Sequence, residues 1–262
     1  MHSTRKHELL ERLVADLCAE RGVDQPHVED PDELWHLFRA LVNTRPPVPA
    51  GTEWLALQDE LLQGMLAETG VSPLTEAEVS PIDPRLRLWR GDITTLAVDA
   101  IVNAANSQML GCWAPGHHCI DNAIHTFAGV QLRAECAALM DAQGHEEPTG
   151  VAKITGAYNL PSKHVIHTVG PIASGRPTAR HRWQLASCYR CCLDLAAQEG
   201  LGSLAFCCIS TGIFGFPQEE AARIAVRTVR EWLDEHGSNM AVVFNVFSAY
   251  DEELYRTELG WS

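Results

Sequence analysis

The chain has 262 residues and a formal net charge of −14; 46% of its residues are apolar and 21% charged. That describes one large globular domain, or one domain with an extension, and excludes wholesale disorder. No uncharged apolar run reaches the roughly 18–20 residues of a membrane span, and the acidity speaks against extended nucleic-acid binding, which needs a basic footprint.

Three helical segments fill the first 70 residues. The first runs from about Thr4 to Glu20, with Leu9, Leu13 and Leu17 on one face. Its apolar-looking stretch 9–17 carries Glu11, Arg12 and Asp16, so it reads as an amphipathic helix and not as the core of a signal peptide. The second follows Pro31 and places Leu34, Leu37, Phe38 and Leu41 at helical spacing until the proline-rich run 45–49 breaks it. The third starts at Thr52, read as its N-cap. No independent core is evident for these helices, and packing against the rest of the chain is expected. Residues 70–84, with three prolines, read as a linker.

From Leu86 onward short apolar runs alternate with helices. The strand candidates are Leu86–Trp89, Ala100–Asn103, Ala152–Ala157, Val165–Thr168, Leu204–Ile209 and Ala241–Phe247. The helix candidates are Asp121–Gln143, with Gly129 as a possible kink, Thr178–Glu199, Gln218–His236 and Asp251–Leu259. Such alternation predicts an α/β domain with a largely parallel sheet, whose ligands sit beyond the carboxyl ends of the strands. The charge is uneven: residues 1–84 hold 6 basic and 16 acidic side chains, and residues 85–262 hold 14 and 18. The nearly balanced body leaves room for a small phosphate ligand.

Four short stretches could carry chemistry. In Cys112-Trp-Ala-Pro-Gly-His117-His118-Cys119, two thiols and two imidazoles share one loop. Cys112, His117 and Cys119 could converge on Zn²⁺, whose preferred ligands these are, with His118 turned away. A surface loop with one buried cysteine and solvated histidines fits the spacing equally. Without a fourth protein ligand the metal site would be open, as catalytic zinc sites are. Asp121 falls at a helix start and His125 one turn on; the plain readings are an N-cap and a packing histidine. Ser210-Thr-Gly-Ile-Phe-Gly-Phe-Pro217 lies between a strand and a helix, where free N–H groups can cradle a phosphate without Lys or Arg. Asp99-Ala-Ile-Val-Asn103-Ala-Ala-Asn106 puts two amides past a buried strand, suited to sugar hydroxyls or simply to a turn. Nine cysteines without a secretion signal predict no disulfide framework. Cys188, Cys191 and Cys192 in a helix, and Cys207 and Cys208 in a strand, are expected as reduced core thiols.

Gly91-Asp92-Ile93-Thr94, the 99–106 stretch, Asp121-Asn-Ala-Ile-His125 and the 210–217 loop follow one another in the order that resembles macrodomains, ADP-ribose-binding modules. The Cys/His loop replaces the glycine run of ordinary hydrolytic members and resembles the zinc-dependent macrodomain subfamily, which also carries a helical N-terminal extension. The resemblance implies a three-layer αβα fold with a mixed, largely parallel central sheet over residues 85–262, behind a helical extension over 1–80. It implies a cytoplasmic enzyme that uses Zn²⁺, held by Cys112, His117 and Cys119, to remove mono-ADP-ribose from protein side chains, with an Asp/Glu linkage. Asp92 and the Ile93 N–H would read adenine, and Phe247, or alternatively Tyr250, would stack on it. Ser210, Thr211, Gly212, Ile213, Phe214, Gly215 and Phe216 would wrap the diphosphate. Asn106, and with it Asn103, would fix the distal ribose, and Asp121 would orient water or the ribose as general base. The implied partner is a mono-ADP-ribosylated protein, of lipoyl-carrier type, with no nucleic acid and no membrane. A non-catalytic ADP-ribose reader and a hydrolase of O-acetyl-ADP-ribose or ADP-ribose phosphate are the alternatives.

Overall fold

A computed structural model describes residue 1 and residues 3–261. The three expected N-terminal helices are α1 (Ser3–Glu20), α2 (Pro31–Asn43) and α3 (Thr52–Thr69). Pro31 opens α2, where its missing N–H is harmless, and the Asp30 carboxylate caps it by accepting from the Asp32 N–H. At α3 the cap is Gly51 and Thr52 is already helical, so Thr52 makes no capping bond. The extension does have a core of its own: Leu9, Leu13, Leu17, Leu34, Phe38 and Leu61 are buried against one another. Each helix is too short to stand alone, but three apolar faces turned inward exclude water together.

The segment after α3 is more than a linker. It contains β1 (Ser72–Pro73) and β2 (Glu78–Val79), followed by β3 (Leu86–Arg90) and β4 (Leu96–Ala97). β1 pairs in parallel with β4, and β2 runs antiparallel along β3. The body continues with β5 (Ala100–Ala105), α4 (Ile120–Ala128), α5 (Val130–Gln143), β6 (Ala152–Gly156) and β7 (His164–Val169). It closes with α6 (Ala179–Gln198), β8 (Ser203–Phe206), α7 (Gln218–Glu235), β9 (Ala241–Val246) and α8 (Ala249–Glu258). The expected kink at Gly129 is a full break between α4 and α5. Gly129 has φ +100°, and a Cβ there would lie 2.5 Å from Gln58 Nε2.

The main sheet has the order β2-β3-β9-β8-β5-β7-β6. The five inner strands are mutually parallel, and β2 and β6 are antiparallel edges. Helices α6, α7 and α8 pack side by side, α4 and α5 form a second group, and α2 lies against α4. Runs such as Ala100–Val102 and Val242–Val243 are buried completely, as strands covered on both faces must be. No helix among the described residues is long and apolar enough to cross a membrane. β8 leaves the ladder at Phe206, three residues before the expected end, so Cys207 and Cys208 lie just past the strand and not within it.

Candidate active site

The carboxyl ends of the five parallel strands form one rim, and the sequence-predicted residues lie along it. After β3 comes Asp92, exposed to solvent. Its Oδ1 accepts from the Thr94 N–H at 3.0 Å and from the Thr94 hydroxyl at 2.7 Å, which orders the turn. The next strand of the sheet, β9, ends at Val246, one residue before the expected end; Phe247 follows it and is 82% exposed, and Tyr250 on α8 is 55% exposed. Asn245 ties these two strand ends together by donating to the Gly91 carbonyl at 2.9 Å.

Past β8 the 210–216 loop curls on itself, and this narrows the expected phosphate cradle. The Thr211, Gly215 and Phe216 N–H groups donate to the carbonyls of Cys208, Gly212 and Ser210. The Phe216 side chain is buried in the main core. Those three N–H groups are therefore taken, while those of Gly212, Ile213 and Phe214 go to no backbone carbonyl. Ser210 adds a second feature that spacing did not reveal. It holds φ +67°, uncommon for a residue with a Cβ, and its hydroxyl is buried without a partner. The segment after β7 braces the loop: Ala173 and Ser174 donate to the Phe214 carbonyl at 2.8 and 3.0 Å.

At the end of β5 the two amides take different parts. Asn106 lies at the surface of the site; its Nδ2 donates to the Gly111 carbonyl at 3.0 Å and approaches Asp121 Oδ2 at 3.4 Å. Asn103 is completely buried. Its Nδ2 donates to Asp121 Oδ1 at 2.8 Å and to His167 Nδ1 at 3.2 Å. It therefore sits behind the carboxylate and holds it, which corrects the expectation of direct contact with the distal ribose. Asn103 and His167 are register partners on β5 and β7 and so share one face of the sheet. Because His167 accepts at Nδ1, its Nε2 carries the proton and donates to Thr155 Oγ1 at 2.9 Å. Burial pushes His167 down to about 3, so it stays neutral.

Asp121 lies in the first turn of α4 but does not cap it; the cap is Cys119, whose sulfur accepts from the Asn122 N–H at 3.4 Å. Burial raises the Asp121 carboxyl to about 6, against the bond from Asn103 and the charge of Arg133, which favour ionisation. His125 packs beneath the loop. Gly111, at φ +77°, comes so close that a Cβ would meet the ring at 2.8 Å. Burial, with His167 and Arg133 nearby, keeps His125 well below its ordinary range. Its 3.6 Å approach to Asp121 is therefore not an ion pair.

The loop between β5 and α4 brings Cys112, His117 and Cys119 together, with all three ligand atoms within 4.8 Å of one another. Cys112 Sγ is 3.6 Å from His117 Nδ1, and His118 points into solvent. Burial, followed by the neighbouring Cys112 and Asp121, pushes Cys119 up to about 12. Two thiols and one imidazole at this separation are a donor set that suits Zn²⁺, and a cation there would offset the cost of ionising both thiols. A second group, His125, Cys136 and His167, is also close-set. There the two ring nitrogens of His167 are already engaged by Asn103 and Thr155, which leaves no lone pair for a metal. His167 and Thr155 had no sequence signal beyond their place in strands; only strand register reveals them.

A Macro domain family model matches residues 102–225. A protein of Treponema medium called protein-ADP-ribose hydrolase is 54% identical over 96% of both chains. The chain belongs to the macro domain family. A protein-ADP-ribose hydrolase of Staphylococcus aureus (strain MRSA252) is 49% identical over 94% of this macro domain protein and 93% of its own length. Among solved structures, the Trypanosoma brucei macrodomain in complex with ADP-ribose matches with a TM-score of 0.66 and 31% identity. That match covers 89% of this macro domain protein and 97% of the other chain, so it reaches beyond the α/β body into the extension.

Proposed function

We propose that this macro domain protein is a zinc-dependent hydrolase that removes mono-ADP-ribose from modified proteins, acting on Asp/Glu-linked esters. The observation that carries the reading is the Cys112, His117 and Cys119 cluster, one turn of chain away from a buried carboxylate, Asp121, held by two amides. Relatives named protein-ADP-ribose hydrolase along nearly the whole chain support the hydrolytic part.

The order of strands supports the ligand's orientation. From β3 through β9 and β8 to β5 is three strand steps, about 14 Å at the usual spacing. Along that rim follow a carboxylate and an exposed aromatic ring for adenine, open N–H groups for a diphosphate, and Asn106 with Asp121 for the distal ribose. Asp92 has an oxygen left for the adenine amino group, and the Ile93 N–H can reach a ring nitrogen. Gly212, Ile213 and Phe214 supply N–H donors to the diphosphate, and the unpartnered Ser210 hydroxyl joins them. Cys112, His117 and Cys119 would hold the zinc. When bound, it would supply a Lewis acid to the reaction. Asn106 fixes the ribose. Asp121 accepts a proton from the water that attacks the distal ribose C1″. As the water oxygen bonds to C1″, the C1″–oxygen bond to the substrate side chain breaks and the side chain leaves as a carboxylate, while Asn103 keeps Asp121 aimed. The modified partner is a protein carrying mono-ADP-ribose, a lipoyl-carrier type being the class the family resemblance suggests.

The test is hydrolysis of defined Asp/Glu-, Ser- and Arg-linked mono-ADP-ribose substrates, with zinc content measured in parallel. Release from the Asp/Glu-linked substrate by protein containing one zinc is expected. Binding of ADP-ribose without release from any substrate would make the protein a reader instead.

A further inference from the structure

The Cys112–Cys119 loop has little regular structure, so something must hold its ligand atoms together before a metal arrives. Its own backbone supplies one turn, the His117 N–H donating to Ala114 at 3.2 Å. Asn122 and Ala123 of α4 hold its end, and two further bonds come from the last two turns of α2, more than 70 residues away in sequence. Asn43 is 1% exposed, and its Oδ1 accepts from the Gly116 N–H at 3.0 Å and from Asn122 Nδ2 at 2.9 Å. Its Nδ2 donates to Thr126 Oγ1 at 2.9 Å. Arg39 donates from Nη2 to the carbonyl of His117 at 3.0 Å, and from Nε and Nη2 to Asn122 Oδ1 at 3.2 and 2.8 Å. Asn122, completely buried at the start of α4, passes the constraint on by donating to the Ala114 carbonyl at 3.1 Å. The loop is thus gripped at Ala114, Gly116 and His117, and one of those residues is itself a ligand.

We infer that Arg39 and Asn43 of the helical extension are positioning residues for the metal site: they hold the Cys112–Cys119 loop in ligand geometry, and the extension belongs to the catalytic unit for that reason. The inference rests on the zinc reading above for its metal part, but the grip on the loop is independent of it. Asn43 and Arg39 touch no ligand atom; they act through backbone groups, as the partners that orient metal ligands do in other sites. The chemistry fits the residue types. Asn43 fills both lone pairs of its carbonyl, and Arg39 offers the planar fork that spans a carbonyl and an amide oxygen at once.

The experiment uses the full chain, with Arg39→Met, Asn43→Leu and the conservative Asn43→Asp, which keeps the acceptor for Gly116 and Asn122. Zinc affinity is read by competition with a chromogenic chelator, and hydrogen exchange of the Gly116 amide is read in metal-free protein. Arg39→Met and Asn43→Leu should weaken zinc by about 10–100-fold and speed Gly116 exchange, with far-UV circular dichroism unchanged, while Asn43→Asp, which keeps the acceptor for Gly116 but gives up the donor to Thr126, should fall between Asn43→Leu and wild type in both. Wild-type zinc affinity and exchange in Arg39→Met overturn the inference, even if Asn43→Leu does not fold. If the wild-type chain binds no zinc, the zinc reading fails by itself. Gly116 exchange then decides the grip: faster in Arg39→Met supports it, and equal to wild type overturns it.

Discussion

Asp121 is the residue on which the proposed chemistry turns. An isolated carboxylate this deep would rather be neutral, and burial does raise it to about 6. What keeps it usable near neutral pH is the amide of Asn103 at 2.8 Å, itself anchored on His167 and through it on Thr155. Asp121→Ala should lower hydrolysis by about 10²–10⁴-fold while ADP-ribose affinity stays within about tenfold, or 1.4 kcal/mol. Steady-state kinetics beside calorimetric binding separates the two, and a wild-type rate in the variant removes Asp121 from the mechanism. The neutral His167 has its own consequence. It titrates near 3 in the fold against an ordinary 6.5. Between those values the unfolded chain binds the extra proton, so this histidine's contribution to stability falls as pH drops from 6.5 toward 3. Chemical unfolding midpoints across that range should fall less steeply in His167→Gln; an unchanged slope would mean that His167 is charged in the fold. In the sequence, Asp121 and Asn106 were legible because each stands in a local pattern. Asn103 was legible as a residue but not in its role, since only the register of β5 on β7 shows that it faces inward.

At the scale of elements, the strands that carry the rim were legible because runs of buried apolar residues between glycine and polar turns leave a clear trace. The two-residue strands β1, β2 and β4 were not, having no periodicity to read. The break between α4 and α5 was visible only as a kink, because its cause comes from another element. Gln58 of α3 accepts from the Val130 N–H at 2.9 Å and caps α5, and it fits only where Gly129 has no side chain. Gly129→Ala must either give up that cap or strain a φ of +100°. It should destabilise the protein by about 1–3 kcal/mol in urea unfolding. No measurable change would show that α3 does not cap α5. The 210–216 loop was found where the sequence put it, between β8 and α7, but which of its N–H groups stay open depended on how the loop bonds to itself. Spacing carries no trace of that.

For the whole molecule, most of the net charge of −14 sits in the extension, and the α/β body is nearly balanced. An anion can be held there by peptide N–H groups in place of basic side chains, which suits one small ligand and not a polyanion. The extension is joined to the body by buried polar contacts. Arg133 of α5 donates to the carbonyls of Val42 and Arg45 and lies over the Trp113 ring at 4.3 Å; Arg39 and Asn43 reach the Cys112–Cys119 loop. None of these long-range pairings has a signature in the chain, which is why the extension was the least legible part of the sequence. They make the helical extension, the Cys/His loop and the buried Asp121 one connected unit. The most direct test of that unit is the rate of ADP-ribose release from an Asp/Glu-linked substrate, measured in protein stripped of metal, verified by elemental analysis, and then resupplied with Zn²⁺. The rate should vanish on stripping and return with one equivalent of zinc; a full rate in the metal-free protein would contradict the account.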